Sequence, residues 1–326
     1  MNPRTYWHLA DLRRRPTEYE IGASKLLYHR HRDRGFEVET PVAGWYELHR
    51  RAAALQVSDW DAFRDPRQTT YASYTELQRG KESFVDGLVR SSEASRHDER
   101  LSPSWMSVLA RIIGPLRFPS HGLQMLAAYV AQAAPASPIV IAGAFQAADE
   151  MRRVQRLAYR MRELQRIDPA FGATSREAWQ TDPMWQPLRE LVERLLVTWD
   201  WSEALVATSF VLAPRFDELF MTCFGRLARR FGDDLLEKVL FSLGEDCRWH
   251  REWTAALVRM AITERPENAD VVRGWLEKWD PLATRAVVAF APLFEDAGES
   301  FEEHITTIEA TCREQRREAL VIREGG

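Results

Sequence analysis

One pair of residues, Cys247 and His250, carries types that could do chemistry. Cys247 and His250 lie three residues apart, so on a helix they share a face, as a nucleophile and base or one side of a metal site would. The competing reading is structural, because both fall within an apolar run at helical spacing, where a core histidine with one hydrogen bond is common. Two metal ions inside a helical bundle would instead call for inward carboxylates and Glu-x-x-His pairs, since positions i and i+3 aim at one ion. None of the eight histidines (His8, His29, His31, His49, His97, His121, His250, His304) has a glutamate three residues before it. His29-Arg30-His31 lacks a nearby cysteine or acid cluster at ligand spacing. No glycine-rich phosphate loop, Gly-x-Ser-x-Gly or dinucleotide fingerprint is present.

The elements that must position these residues read as helices. The organising stretch runs from Asp59 to Val85, DWDAFRDPRQTTYASYTELQRGKESFV. Asp65 and Pro66 are placed to cap and open a helix over about 67–95, with Tyr71, Tyr74, Leu77 or Gln78, Lys81, Phe84 and Leu88 at intervals of three or four. That stripe is apolar in body and polar at its tips, which suits a contact surface as well as a core. A second helix opens at Ser102-Pro103, runs through Ala133 and should kink at Pro115 and Pro119. A third spans about Ile139–Ile167. A short helix with Leu188, Leu191, Val192, Leu195, Leu196 and Trp199 on one face follows Asp182-Pro183, with Glu190 and Arg194 paired outside. Trp201 to about Arg230 is helical, with Pro214 as an interruption. Gly232-Asp233 opens the last long helix, ending at Glu264. Shorter helices follow, and Glu299–Arg317 reads as a charged, solvated one. Sustained period-two alternation is absent from the sequence, so strands are expected to be absent or trivial.

The first 58 residues differ in character, with weak periodicity and scattered aromatics. They read as an extended arm docked on this chain or a partner, and residues 59–326 as a helical domain. The alternative for the arm is a partly disordered tail.

With 326 residues, 45% hydrophobic and 28% charged, the chain can bury a substantial core. A formal net charge of −4 gives no pointer to nucleic acid or an anionic membrane. Cys223, Cys247 and Cys312 are too widely and oddly spaced for a disulfide framework or zinc knuckle. The sequence offers no apolar leader and no run of about 18 apolar residues, so a cytoplasmic location is expected. Twelve tryptophans are unusual and fit either a large helical core or a stable interface.

The Asp59–Val85 block resembles the hydroxylase beta subunits of soluble diiron multicomponent monooxygenases of the toluene and alkene type. Arg4–His29, RTYWHLADLRRRPTEYEIGASKLLYH, is similar to the N-terminal arm of that subunit. Trp179–Val206, WQTDPMWQPLRELVERLLVTWDWSEALV, is similar to its central helix pair. The similarity spans about Arg4–Pro281.

The resemblance implies an all-α, ferritin-like bundle with an extended N-terminal arm and lost diiron ligands. The catalytic alpha chains of these enzymes carry Asp-Glu-x-Arg-His on two helices. In this sequence Arg153 stands where the first histidine would be and Cys247 where the second glutamate would be, while Glu150 and His250 remain. The single-glutamate positions of the other two helices fall at Ala128 and Val211. The expectation is therefore no cofactor in this chain, with Arg153 ion-paired to Glu150 or another inward carboxylate.

The implied function is that of a structural beta subunit with no active site, in an NADH-dependent hydroxylase that inserts one oxygen atom from O2 into an aromatic or alkene substrate. Its implied partners are alpha and gamma subunits, a second αβγ protomer, an effector protein, a Rieske ferredoxin and an NADH reductase. The diiron centre would lie in alpha. Expected contact residues are Tyr6, Trp7, Tyr19 and Tyr28 on the arm, and Trp60, Phe63, Tyr71 and Tyr74 on the opening block. Two other readings stay open: a self-contained ferritin-like oxidoreductase, and a helical scaffold unrelated to oxygenation.

Overall fold

The structure, a computed structural model, describes residues 7–26 and 40–320. Every regular element among them is helical, as the sequence patterning requires. The central bundle is built from α4 (Pro103–Ala133), α5 (Ser137–Leu164), the helical run over 201–230 and α11 (Asp234–Glu264). The run comprises α8 (Trp201–Val206), α9 (Ala213–Asp217) and α10 (Phe224–Arg230), joined by π-helical turns at Ala207–Leu212 and Glu218–Cys223.

Three of the four bundle segments start where a short polar side chain satisfies orphan amides; α5, which follows Ala136, has no side-chain cap. Ser102 accepts from Trp105 N–H, Asp200 from Ser202 and Glu203 N–H, and Asp233 from Leu236 N–H. The α4–α5 hairpin is tight enough that a Cβ at Gly143 would come within 3.3 Å of the Ala131 backbone.

Pro115 and Pro119 lie inside the continuous helix α4, and Pro214 lies in a run broken by a π-helical turn, as expected. Pro115 cannot donate to the Arg111 carbonyl, and Trp185 Nε1–H donates to it from the flanking segment at 3.2 Å. Pro214 likewise leaves the Phe210 carbonyl without its usual donor, and Arg316 Nε–H fills that place at 2.8 Å. Arg316 belongs to α14 (Phe301–Ala319), the helix read as solvated. It is docked: Phe301, Ile308 and Cys312 are buried, and Glu309 receives Arg215 Nε–H at 2.7 Å. The reason is local, because a helix broken by proline exposes carbonyls that only a neighbouring donor can satisfy.

Around the bundle lie α6 (Ser175–Thr181), α7 (Gln186–Leu196), α12 (Asn268–Val288) and α13 (Ala291–Asp296). The Glu190–Arg194 pair on α7 forms at 2.7 Å. α3 (Tyr71–Ala94) packs on α11 from outside. It begins at Tyr71, later than the sequence suggested. Thr70 is its cap, while Asp65 and Pro66 belong to the preceding turn, where Asp65 accepts from Arg67 and Thr69 N–H.

The region read as an extended arm contains a 3-10 turn at Trp7–Leu12, α1 (Glu18–Ala23) and α2 (Pro41–Arg51). α1 is held by a Thr17/Glu20 capping box, and α2 starts with Thr40 as cap and Pro41 in its first turn. Tyr6 and Tyr28 lie outside the described residues.

Candidate functional site

The stretches that align with the two Asp-Glu-x-Arg-His motifs, Asp149–Arg153 and Asp246–His250, meet inside the bundle on facing turns of α5 and α11. Their first residues, Asp149 and Asp246, turn outward to α3. Asp149 accepts from the Tyr74 hydroxyl and from Gln78 Nε2, both at 2.7 Å, and pairs with His250 Nε2 at 2.9 Å. Asp246 accepts from Gln78 Nε2 at 2.9 Å and Arg152 Nη1 at 2.7 Å, and pairs with Lys81. One amide group, on Gln78, therefore bridges the two aspartates. Burial opposes the charge of Asp246, but Arg152 and Lys81 outweigh it and hold the carboxyl below its ordinary value. Burial and the Asp149 charge push the Tyr74 hydroxyl upward, which keeps it a donor.

Deeper in lies the Arg153 guanidinium. Its Nη1 is 3.1 Å from Glu150 Oε2, and its Nη2 is 3.1 Å from Asp217 Oδ1 and 2.7 Å from Cys247 Sγ. The Phe216 ring centre is 5.4 Å from its central carbon. His250 Nδ1 stands 3.9 Å from Glu150 Oε1. Burial pushes the Glu150 carboxyl up to about 7, against the pull of Arg153 and His250. Burial also raises the Cys247 thiol well above its ordinary range, so a resting thiolate nucleophile is disfavoured.

This donor set does not fit a pair of iron ions. The middle of the cluster is filled by a guanidinium, which cannot lose its proton or coordinate a metal. Among the described residues no three His, Cys, Asp or Glu side chains converge as a metal site. One turn along α5 and α11, Gln146 and Trp253 line a void of about 10 Å³ with Leu126, Ala127, Val130, Gly143, Leu205, Thr208 and Ser209. Such a space is about the size of one water molecule and excludes a hydrocarbon ring.

The single-carboxylate positions read from sequence fall differently in space. Ala128 is half-buried on α4, between fully buried Ala127 and Val130. Val211 is buried in the first π-helical turn, and the carboxylate that reaches Arg153 from this run is Asp217. Sequence reasoning missed Asp217, because the π-helical turns shift the face that each residue presents.

The expected contact residues also separate. Tyr19 is buried in this chain, where its hydroxyl accepts from Asp65 N–H at 3.0 Å. Phe63 is buried against Trp253. Both are corrected to core roles, since a side chain enclosed by its own chain has no area left for a partner. Trp60 is half-buried and edge-on to Trp201, and Tyr74 stacks on Phe145 at 4.4 Å. Trp7 lies in the first 3-10 turn.

Tyr71, by contrast, is 75% exposed. The stripe on α3 splits into two faces. Tyr74, Gln78, Lys81, Val85 and Val89 turn toward the bundle and Leu77 and Phe84 turn away, while Tyr71, in the first turn, is exposed in line with the inward-facing set. Leu77 and Phe84, with Phe241 of α11, line an open groove of about 670 Å³ that also includes Gly80 and Lys81. Phe241 is 65% exposed.

The model of the methane/phenol/alkene hydroxylases matches residues 39–265. The chain belongs to that family. Among these hydroxylases, it is 39% identical to the beta subunit of the toluene-4-monooxygenase hydroxylase component of Ectopseudomonas mendocina, over 88% of this chain and 89% of that one. It is 29% identical to the oxygenase component DmpL of a Pseudomonas phenol 2-monooxygenase, over 77% of this chain and 76% of that one. A chain in the solved structure of toluene 4-monooxygenase with toluene in its resting active site superposes with a TM-score of 0.83. That match is 39% identical and covers 89% of this chain and 97% of the other. The fold is thus the ferritin-like one of the diiron hydroxylases. No helix among the described residues is long and apolar enough to cross a membrane.

Proposed function

We propose that this chain is the structural beta subunit of a multicomponent hydroxylase that inserts one oxygen atom from O2 into an aromatic or alkene substrate, and that it has no active site of its own. The observation that carries this reading is Arg153, whose fixed positive charge fills the place between Glu150, Asp217 and Cys247. A family whose chemistry depends on a metal cannot run it where a guanidinium blocks the ligands. Oxygen activation then belongs to a diiron alpha subunit, which this chain buttresses. The further components are a gamma subunit, a second αβγ protomer, an effector protein, a Rieske ferredoxin and an NADH reductase, all in the cytoplasm. Neither nucleic acid nor membrane is a partner.

The docking face we assign to the partner is the outer side of α3 with Phe241, because Leu77, Phe84 and Phe241 expose large apolar groups there in one groove. Obligate interfaces of this kind commonly bury more than about 2,000 Å².

The test is native mass spectrometry of the tagged chain purified from its own host. A doubled three-chain particle containing iron is the expected result. A free monomer or plain homodimer overturns the subunit reading.

A further inference from the structure

Thr208 and Ser209 are neighbours on the π-helical turn Ala207–Leu212, and both are buried in the bundle. Neither hydroxyl has a hydrogen-bond partner among the described residues. Other buried hydroxyls of the bundle bond back to the carbonyl four residues earlier: Ser120 donates to Leu116 O and Thr254 to His250 O, each at 2.8 Å. The two on the π-helical turn do not take that route. Their residues line the void of about 10 Å³ beside Trp253, and Gln146 of α5 lines it with them. Trp253 Nε1–H occupies Gln146 Oε1 at 3.1 Å, so the group that Gln146 can still offer is its Nε2 donor.

We propose that this void is the binding site of one structural water molecule, held by Thr208 Oγ1, Ser209 Oγ and Gln146 Nε2. Water brings two donors and two acceptors, a hydroxyl serves as either, and the volume suits one such molecule and no larger ligand. The other walls, among them Leu126, Val130 and Leu205, are apolar, and walls of that kind alone would leave a void dry. The two hydroxyls decide the balance, because leaving both unsatisfied in the interior costs more than immobilising one water. The water joins α5 to the π-helical turn and so fixes the register of the run that carries Asp217 to Arg153. Its ligands are interior residues of this chain, so the inference stands apart from the subunit reading.

The test is a crystal structure of the full chain, alone or in the particle in which it purifies, at a resolution that shows ordered waters. One peak of density within hydrogen-bond distance of both hydroxyls and of Gln146 Nε2 is the expected result. In solution, oxygen-17 relaxation dispersion should count one long-lived water fewer in Thr208→Val/Ser209→Ala than in the unaltered chain. Each single variant should lower the melting temperature, and the two losses added together should exceed that of the double variant, since both hydroxyls serve one molecule. An empty void overturns the proposal, as do hydroxyls turned onto the Ala204 and Leu205 carbonyls with no density between them. Equal counts of long-lived water, or strictly additive losses, overturn it too. Should the double variant fail to fold, the density in the unaltered chain decides alone.

Discussion

Trp249 Nε1–H donates to Asp65 Oδ1 at 3.0 Å, tying the turn before α3 to the middle of α11 across 184 residues of chain. The same carboxylate accepts from Arg67 N–H and Thr69 N–H, and the Asp65 amide donates to the Tyr19 hydroxyl. One buried side chain thus orders a turn and orients a tryptophan, while the backbone amide of the same residue makes the link to α1. Asp65→Ala strands those donors without acceptors. We expect a loss of about 2–4 kcal/mol in chemical denaturation, with Asp65→Asn losing less. Equal stability of Asp65→Ala and the unaltered chain would remove Asp65 from this role.

The buried Asp233 carboxylate should set an acid limb of stability. Burial opposes its charge, but His97, Arg160, the Leu236 amide and Trp105 outweigh burial and hold its pKa below the ordinary aspartate value. A depressed folded-state pKa gives stability that is complete above the unfolded value of about 3.9 and is lost as pH falls through the folded value. Asp233→Asn should therefore be less stable by about 2–4 kcal/mol at neutral pH. It should also show a shallower loss of stability below about pH 4. Parallel acid limbs for the two proteins would contradict this account.

Tyr71 and Tyr74 sit one turn apart and should behave oppositely. Tyr74 donates to Asp149 and stacks on Phe145, so Tyr74→Phe removes one hydrogen bond to a buried carboxylate and should cost about 1–2 kcal/mol. Tyr71, exposed in the first turn, should change stability by less than about 0.5 kcal/mol when replaced by alanine. Thermal melts of the two variants side by side decide the matter.

The outer face of α3 is tested through association. Phe84→Asp combined with Phe241→Asp puts two charges into the apolar groove without touching a buried group of this chain. The helical circular dichroism signal should be preserved while recovery of partner chains in co-purification falls at least tenfold, a loss of at least about 1.4 kcal/mol in binding. Undiminished recovery would move the interface elsewhere, with the exposed Val42, Trp45, Leu48 and Trp199 patch next in line.

From α3 onward, helix order and approximate ends were legible because they follow from local chemistry, whereas α1 and α2 lie in the stretch read as an extended arm. The cap at Ser102, the start at Asp233 and the stop at Glu264 all rest on residues near one another in sequence. The long blocks shared with the beta subunits also reached the family without coordinates, and the same resemblance, which puts Arg153 where a histidine ligand would stand, implied its ion pair with Glu150. Three things were settled only by packing. Whether an aromatic on α3 is covered depends on where its neighbours lie, so Tyr71 and Tyr74 could not be separated by spacing. The proline-freed carbonyls of Arg111 and Phe210 find donors in Trp185 and Arg316, far along the chain. Asp217 reaches Arg153 from α9, just after the π-helical turn at Ala207–Leu212, and the shift of face that such a turn brings leaves no periodic trace in the sequence. Local chemistry therefore determined which segments are helical and which family they build, while the choice of partner for each buried charge belonged to contacts between distant segments.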